Sequence, residues 1–463
     1  MVEGSPIGQP PVYPAPQPYT TNILRRLRRG LRSWFALLNS WDFQVPLGRI
    51  AVLGRPLFLV NDPPLVRQVL VDQVEAFPKH PLTLWLLEPL IGRAIFSVNG
   101  PEWARQRRLL DQAFQAAQLR RVFPQMQGAV DALMARLSAA GEVVDVEAEM
   151  TLVTADVIVR TILSRPLEAA EAADILRAFQ RYQRRAGQAL VLRLLRLPAP
   201  LLERYLARHA ATIRGWIGAV IEQRLAASTA APQRDLLQAL VEAVDPESGG
   251  GFRAEELVDQ VCFLFLAGHE TSASALGMAT YLLAQFPAAQ GRLREEVRAA
   301  LGGEARALRV DDLRALPFGA AVFQETLRLY PPVGFFIREA QADGELGSSR
   351  CPMGALLTVS PWVIQRHTHH WPEPHHFRPE RFLAEEASAE ERCWARDAWL
   401  PFGLGPRKCP GAAFALQEAL LVLAELVRRY ELLPVPEHTP DLVGRLTLRS
   451  RNGIPLRLRP LRS

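Results

Sequence analysis

A single cysteine stands in a glycine- and proline-rich stretch near the C-terminal end of the chain. Residues 401–411 are PFGLGPRKCPG, and the apolar run that begins at Ala412 predicts a helix directly after them. Backbone N–H groups at the start of a helix stabilise anions, so Cys409 is placed where a thiolate can bind a metal. No C-x-x-C partner accompanies it, which argues against zinc and iron–sulfur sites, because these need several ligands close together. One thiolate on one metal suggests haem. The alternative is that Cys409 is a small buried side chain.

Glu270 and Thr271 lie in the middle of an apolar run that predicts one long helix from about residue 253 to 285. A carboxylate and a hydroxyl are costly to bury, so they need partners or a purpose. Thr271 can donate back to the carbonyl of Ala267, and Gly268 leaves room beside the backbone, so we expect the helix to widen there and accommodate a small molecule. The pair then suits proton delivery by general acid catalysis. The alternative is an ordinary helix with a back-bonded threonine.

Two further pairs have helical spacing. Trp103 and Arg107 are four residues apart, so their N–H groups can converge on one carboxylate. Glu325 and Arg328 are three apart on a predicted helix that ends at two prolines. A solvated pair at such a spacing is weak, whereas each charge of a buried pair requires its partner.

These segments together resemble the cytochrome P450 monooxygenases. The spacing of that family's haem-binding signature is met by Phe402, Gly403, Gly405, Arg407, Cys409, Gly411, Ala415 and Glu418. Residues 267–271 resemble its oxygen-activation element, and Trp103 with Arg107 resembles its W-x-x-x-R element. The matched elements follow the family's order from about Arg49 to the end of the chain.

The resemblance implies a haem b cofactor with Cys409 as the axial thiolate ligand of the iron. It implies that the propionates are bound by Trp103, Arg107, Arg338 and Arg407, and that Phe402, Gly403 and Gly411 shape the loop around the cysteine. Glu270 and Thr271 become the catalytic pair. Glu325, Arg328 and Arg381 become a structural network beneath the haem. The candidate pocket residues are Ala267, Val333, Phe335 and Phe336.

The reaction that the resemblance implies is NAD(P)H-dependent hydroxylation of an apolar small molecule, such as a lipid, a fatty acid or a terpenoid. The chain has no flavin domain or iron–sulfur cysteine set, so electrons must come from a separate ferredoxin- or flavodoxin-type donor with its NAD(P)H reductase. Arginines that would suit an acidic donor, or form only a solvated face, are Arg105, Arg108, Arg120 and Arg121.

Three other functions compete with this one. A peroxygenase driven by H2O2 and a non-catalytic haem sensor are both disfavoured by the Glu270 and Thr271 pair, which neither function needs. A hydrolase would use a metal bound by the histidine-rich loop, residues 366–376, but the prolines of that loop prevent a regular helix that presents ligands.

The remaining chain predicts a mainly α (α+β) fold. Alternating apolar residues predict strands between residues 49 and 60 and between residues 333 and 338, and residues 78–97 are apolar without a regular period. We expect one domain over residues 39–463, preceded by a lead over residues 1–38. The lead is proline-rich up to residue 21, which predicts an extended or disordered segment.

The second part of the lead, residues 23–38, places apolar side chains at helical spacing and arginines on the other side. The apolar positions are Leu24, Leu27, Leu31, Trp34 and Leu38. This pattern predicts a helix that lies on an anionic membrane surface, or equally one that packs on the domain.

Charge and cysteine content restrict the partners and the compartment. The net charge of +6 is too small to indicate nucleic acid, and no motif of a nucleic-acid reader accompanies it. The 4 cysteines show no pairing rhythm, which indicates a reducing compartment. No signal peptide or membrane-spanning run is evident. We therefore expect a cytoplasmic protein, with the inner membrane face as the site of any peripheral contact.

Overall fold

The computed structural model describes residues 11–18, 30, 33–52, 54–194, 197–226 and 235–461. Helices dominate this part of the chain, as the alanine- and leucine-rich sequence predicts. The α-helices are α1 (Pro63–Arg67), α2 (Pro81–Ile91), α3 (Gly100–Ala113), α4 (Ala116–Ala139), α5 (Val146–Leu163), α6 (Ala169–Leu194), α7 (Ala199–Ala226), α8 (Leu236–Glu242), α9 (Ala254–Gln285), α10 (Pro287–Ala300), α11 (Pro317–Leu329), α12 (Pro361–Ile364), α13 (Ala389–Asp397) and α14 (Ala412–Arg429).

Eleven short strands form small sheets at the edges of the helical body, counted over the described residues. They are β1 (Leu47–Val52), β2 (Arg55–Val60), β3 (Val143–Asp145), β4 (Phe336–Glu339), β5 (Gly344–Leu346), β6 (Ser349–Cys351), β7 (Leu356–Val359), β8 (Tyr430–Pro434), β9 (Leu442–Gly444), β10 (Leu448–Ser450) and β11 (Pro455–Pro460). The largest sheet has the order β1-β2-β7-β4, in which only β2 and β7 run parallel. A second sheet has the order β3-β11-β8, and β5 with β6 and β9 with β10 form separate antiparallel pairs.

Helix α9 runs through the main core, and its bounds confirm the long helix predicted from the sequence. The backbone N–H of Arg253 donates to the Glu256 carboxylate at 2.9 Å, which satisfies one donor at the helix start. The predicted widening is wrong, because α9 is α-helical throughout. A Cβ at Gly268 would collide with Ile158 of α5. Glycine at this position therefore allows close packing of two helices and does not open space for a ligand.

The apolar stretch expected to be irregular, residues 78–97, contains α2. Pro81 occupies the first turn, and Nδ1 of His80 accepts the Leu82 N–H at 3.2 Å. The sequence does not show this helix by periodicity, because leucines and a tryptophan surround it on several sides.

The N-terminal lead packs on the domain where it is described. Residues 11–18 have no regular secondary structure apart from a bridge between Gln17 and Asn39, and the Tyr330 hydroxyl donates to the Val12 carbonyl at 2.7 Å. Trp34, Phe35 and Leu38 belong to the main core. The packed domain therefore begins before the expected boundary at residue 39.

Trp34 lies directly over two glycine backbones, since a Cβ at Gly334 or Gly444 would collide with its indole. Trp34 and Leu38 are therefore not available to a membrane surface. Leu24, Leu27 and Leu31 of the predicted membrane helix lie outside the described residues. No helix in the described ranges has both the length and the apolarity that crossing a membrane requires.

Candidate haem-thiolate site

The loop that carries Cys409 has the conformation its glycines predict. Gly403 and Gly405 have φ angles of +73° and +68°, a region that disfavours other residues. A Cβ at Gly405 would also collide with the carbonyl of Leu70. The Cys409 N–H donates to the Phe402 carbonyl at 2.8 Å, which closes the loop just before α14 begins. The backbone conformation of the loop thus positions the cysteine.

The Cys409 side chain remains accessible just before α14 begins. The residue is solvent-accessible, yet protein atoms crowd around it, and burial raises the pKa of the thiol against the lowering effects of the Gly411 N–H, Arg107 and Lys408. A Cβ at Gly411 would make only ordinary contacts of 3.8 Å with Cys409 and Phe114. The loop therefore leaves room beside the sulfur, as a ligand position requires.

Three basic side chains are brought together near this loop without a carboxylate. Lys79 and Arg338 pair across an isolated β-bridge, and the Lys79 ammonium donates to the Phe96 carbonyl at 2.8 Å. Arg407 donates to the Val98 carbonyl at 3.0 Å and to the Asn99 side chain at 2.9 Å. Burial, then Arg407 and Arg338, hold the pKa of Lys79 well below its ordinary value.

Burial also lowers the pKa of both arginines to about 10, and for Arg407 the charge of Arg338 adds to this effect. None of the three cations has a carboxylate within ion-pair distance among the described residues. Such a cluster is costly unless an anion completes it.

Trp103 and Arg107 of α3 face this region differently. The Arg407 guanidinium lies over the Trp103 indole, 4.1 Å from the ring centroid. Arg107 instead donates to the carbonyls of Pro406 at 3.3 Å and Lys408 at 2.6 Å, and it pairs with Asp111 at 2.8 Å. The structure therefore brings Trp103 to the cation cluster, whereas it uses Arg107 to hold the cysteine loop.

One narrow face of α9 is only partly buried. From Leu264 to Ala284 every residue is buried except Ala267, Gly268 and Thr271, and Phe263 continues the same face one turn earlier. The Thr271 hydroxyl donates to the Ala267 carbonyl at 2.6 Å, so the predicted back-bond is confirmed. Glu418 of α14 lies beside Ser272, which places this face next to the helix that follows Cys409.

The carboxylate of Glu270 is directed away from Thr271. It pairs with Arg449 at 3.0 Å, accepts the Thr447 hydroxyl at 3.0 Å, and lies 3.6 Å from Nε2 of His269. Burial would raise the pKa of Glu270, but Arg449 and His269 outweigh it and hold the pKa below its ordinary value. No hydrogen bond joins Glu270 to the Thr271 hydroxyl in the described part of the chain. Glu270 is therefore anionic and anchored on β10.

Glu325, Arg328 and Arg381 come together as predicted, and all three are fully buried. Arg328 binds Glu325 through two contacts of 2.6 and 2.7 Å, and Arg381 lies 3.6 Å from the same carboxylate. Arg328 also donates to the carbonyls of Pro374 and His376 at 2.8 and 3.0 Å. The network thus fastens α11 to the loop that precedes the cysteine segment.

The expected pocket residues separate into two groups. Val333 and Phe335 are half-buried, and Phe335 packs edge-on against Trp34 with 5.3 Å between ring centroids. Phe336 lies close to Gly403 and packs with the smaller apolar cluster of the β1-β2-β7-β4 sheet. Of the four expected pocket residues, Phe336 therefore lies beside the cysteine loop, and Ala267 lies on the accessible face of α9.

Sequence reasoning missed Lys79, Gln365 and His269. Lys79 and Lys408 are the only lysines in a chain whose other basic residues are arginine, and this bias is a signal that could have identified Lys79. The Gln365 side chain donates to the carbonyls of Leu327 and Arg328 and accepts the Leu400 N–H at 2.7 Å, so it links α11 to the cysteine segment. His269 contacts Glu270 and received no role from the sequence.

The contacts bear on two other possibilities from the sequence, a free basic patch and the disfavoured metal site in the histidine-rich loop. Arg105, Arg108 and Arg120 pair with Glu256, Asp245 and Asp311 respectively, so they do not form a free basic patch. The histidine loop gathers no set of metal ligands, and none is found elsewhere among the described residues. Carboxylates from distant segments neutralise these arginines, which the local sequence does not show.

The residues present fit haem. The accessible thiol of Cys409 is a suitable iron ligand. The cation cluster has no carboxylate partner in the described residues, and together with Trp103 it provides donors for the propionate carboxylates of haem. Cys409 would bind the iron, and Lys79, Arg338, Arg407 and Trp103 would bind the propionates.

Comparison with known proteins agrees with this site. The Cytochrome P450 family model matches residues 14–453. Cyclooctatin synthase from Streptomyces melanosporofaciens is 34% identical over 92% of this chain and 90% of its own length. Pentalenene oxygenase from Streptomyces avermitilis is 30% identical over 96% of each chain. The crystal structure of the cytochrome P450DA heme domain has the same fold, with a TM-score of 0.83, 23% identity, and coverage of 98% of this chain and 99% of that one.

Proposed function

The chain belongs to the cytochrome P450 family and is a monooxygenase that carries haem b, and from that premise we propose that it hydroxylates a terpenoid. The observation that supports this proposal is the accessible face of α9, on which Phe263, Ala267 and Thr271 are only partly buried. Apart from one hydroxyl, this surface is apolar, so it suits a hydrocarbon skeleton without charged groups. Two relatives named above, cyclooctatin synthase and pentalenene oxygenase, act in terpenoid chemistry by their names.

Haem bound at Cys409 supplies the binding and activation of dioxygen, which no amino-acid side chain provides. The protein residues have separate tasks around it. Lys79, Arg338 and Arg407 would bind the propionates, whose negative charge would complete this cluster of cations. The cysteine loop holds the sulfur through its glycine turns and through Arg107.

We assign proton delivery to Thr271 and Glu270, which follow Ala267 on α9. The Thr271 hydroxyl hydrogen is committed to the Ala267 carbonyl, so the oxygen is free to accept a hydrogen bond from water. Glu270 supplies protons after its side chain leaves Arg449, since its present contacts point it toward β10. Proton delivery therefore requires a rotation of the Glu270 side chain.

Electrons come from a redox partner, and we propose a ferredoxin- or flavodoxin-type donor with its NAD(P)H reductase. Lys408 is exposed directly beside Cys409, and Arg121 is exposed on α4. These two side chains, unlike Arg105, Arg108 and Arg120, make no ion pair with the described part of the chain. They are the positive charges that an acidic donor would contact first.

A peroxygenase and a haem sensor remain the competing functions, and turnover separates them. The monooxygenase consumes NADPH in step with product when a donor and its reductase are present. A peroxygenase would form product from H2O2 alone at a comparable rate, and a sensor would form none under either condition. The Glu270 and Thr271 pair favours the first outcome, because proton delivery is needed after dioxygen binds.

The substrate class is tested by spectral titration of the purified protein. Terpenoids should displace water from the haem and shift the Soret band at low micromolar concentration, whereas fatty acids of similar size should shift it only weakly. The terpenoids that shift the band should then be hydroxylated in the reconstituted system. A fatty acid that binds more tightly and is converted faster than every terpenoid tested would contradict the proposal.

We also propose a cytoplasmic protein whose lead contacts the inner membrane face through residues 23–32. This stretch carries Arg25, Arg26, Arg28, Arg29 and Arg32, whereas Trp34 and Leu38 are committed to the core. Co-sedimentation with anionic liposomes should fall when these arginines are replaced by glutamine. Unchanged co-sedimentation would exclude this contact.

A further inference from the structure

His269 occupies a closed position between two aromatic rings. The side chain is fully buried, and its ring centroid lies 4.8 Å from that of Phe179 and 4.7 Å from that of Phe265. Its Nδ1 atom lies 2.6 Å from the Phe265 carbonyl, and its Nε2 atom faces the Glu270 carboxylate at 3.6 Å. These two neighbours determine where the protons of the imidazole must be.

A carbonyl oxygen only accepts hydrogen bonds, so the short contact with Phe265 requires a hydrogen on Nδ1. A neutral His269 would then present a bare Nε2 lone pair to a carboxylate oxygen. Nε2 has no other hydrogen-bond partner among the described residues, and it is buried. A bare, buried nitrogen opposite an anion is unfavourable, whereas a hydrogen on Nε2 gives both groups a partner.

The surrounding charges favour the same arrangement. Arg449 pairs with Glu270 and interacts with Glu147 of α5, and it donates to the Thr151 hydroxyl at 3.1 Å. Glu147 also interacts with Asp145 and Glu270, and burial raises its pKa. An imidazolium at His269 adds a positive charge beside Glu270, which matters because both of these side chains are buried.

Glu270 is the weaker place for this proton. Arg449 and the Thr447 hydroxyl both bind its Oε2 atom, and both contacts stabilise the carboxylate. The pKa of Glu270 is correspondingly low.

We propose that His269 stores, on Nε2, the proton that Glu270 delivers during turnover. The step is a proton transfer without electron transfer. The Nε2–H bond breaks as an O–H bond forms at Glu270 Oε1, which leaves a neutral imidazole that keeps its Nδ1 hydrogen. Protonation weakens the pairing of Glu270 with Arg449, so the side chain can rotate toward Thr271 and release the proton there. Solvent water then reprotonates His269.

This inference rests on the proposed role of Glu270, and it adds a residue that the sequence pattern leaves variable. It also explains how the Glu270 carboxylate can leave its contacts with β10, because transfer of the proton to Glu270 weakens its pairing with Arg449. A purely packing role for His269 would explain the aromatic neighbours but would give Nε2 no partner.

The first test measures the protonation state and does not depend on turnover. The holoenzyme is labelled with 15N-histidine and studied as its diamagnetic ferrous carbon-monoxide complex, with His269→Gln used to assign the signals. Both ring nitrogens of His269 should be protonated at pH 7. A bare Nε2 at pH 7 would overturn the proposal.

The second test measures product formed per NADPH consumed as a function of pH. His269→Gln keeps a hydrogen-bond donor beside Glu270 but cannot release a proton, so coupling should fall roughly tenfold, which is less than the hundredfold or more that a general acid itself contributes. The fall should be largest at high pH, where solvent protons are scarce. The control is His370→Gln. His370 is another buried histidine, but it packs against Trp394 in the smaller apolar cluster, so its replacement should leave coupling unchanged.

Failure of the inference can be distinguished from failure of the proposed function. If Glu270→Gln lowers coupling and His269→Gln does not, the stored proton is not on the delivery route and the inference is wrong. If Glu270→Gln itself has no effect, the proposed role of Glu270 is wrong, and the inference that rests on it falls with it. The carbon-monoxide spectrum of each variant shows that the haem site is intact.

Discussion

The guanidinium of Arg407 lies over the indole of Trp103, with 4.1 Å between its Cζ atom and the ring centroid. Arg407 precedes Cys409 by two residues, and Trp103 lies in the first turn of α3. The contact therefore joins the cysteine loop to α3 and holds the positive charge of Arg407 beside that loop. Since cation–π contacts with tryptophan are the strongest of their kind, Trp103 both positions and stabilises this arginine.

Lys79 should contribute to haem retention although no sequence motif marks it. Lys79→Met removes one of three cations that lack a carboxylate, and it should weaken haem binding by about 1.5–3 kcal/mol, the range for a hydrogen bond to a charged group. The measurement is the rate and extent of haem transfer to excess apomyoglobin. Lys408→Met is the matched control, because Lys408 is the only other lysine and is exposed. Equal haem loss in the two variants would contradict this assignment.

Glu325→Ala should prevent stable haem incorporation. It leaves Arg328 and Arg381 buried without their carboxylate, and removal of one partner of a buried pair costs about 3–5 kcal/mol. Glu295→Ala is the control, since Glu295 and Arg298 have the same spacing on a helix but are exposed. Thermal unfolding and the ratio of haem to protein should change strongly in the first variant and little in the second. Full haem content in Glu325→Ala would show that the network is dispensable.

Glu418 should make stability depend on pH. Burial raises the pKa of its carboxyl from an ordinary value of 4.5 to about 8. The folded protein then binds a proton that the unfolded chain has released, so this contribution is complete below pH 4.5 and is lost as pH rises to 8. The free energy of unfolding should fall by about 1.4 kcal/mol per pH unit in this window.

Glu418→Gln should remove that dependence, because glutamine has a similar shape and does not titrate. Urea unfolding at a series of pH values measures the difference between the variant and the parent protein. Glu385→Gln, at an exposed position, should keep the parent curve. Parallel curves for the parent and Glu418→Gln would mean that Glu418 is ionised in the folded state.

Thr271→Ala should divert turnover from product to peroxide. The variant loses the hydroxyl that accepts a hydrogen bond from water at the accessible face of α9, so proton delivery should become inefficient. NADPH consumed, H2O2 released and product formed are measured together with reconstituted partners. Thr271→Ser keeps the hydroxyl and should preserve most of the coupling. If alanine and threonine couple equally well, Thr271 has no part in proton delivery.

Local patterns in the sequence predicted the features that depend on neighbouring residues. The turns at Gly403 and Gly405 follow from glycine content, and the back-bond of Thr271 follows from its place in a helix. The pairing of Glu325 with Arg328 follows from helical spacing. In each case the interacting groups lie within one turn of backbone, so their types and order are sufficient.

Contacts between distant segments could not be predicted in this way. Lys79 and Arg338 meet through a β-bridge, and Glu270 turns toward Arg449 on β10. The amphipathic pattern around Trp34 showed an apolar face but not which surface covers it. Gly268 indicated space, and only the structure shows that Ile158 fills it.

The central claim is that Cys409 binds the haem iron as a thiolate. The reduced carbon-monoxide complex of the parent protein should show the red-shifted Soret band of thiolate ligation, and Cys409→Ser should abolish that band. Cys393→Ser, which replaces a partly accessible cysteine on α13, should leave the band unchanged. A normal thiolate band in Cys409→Ser would contradict the account.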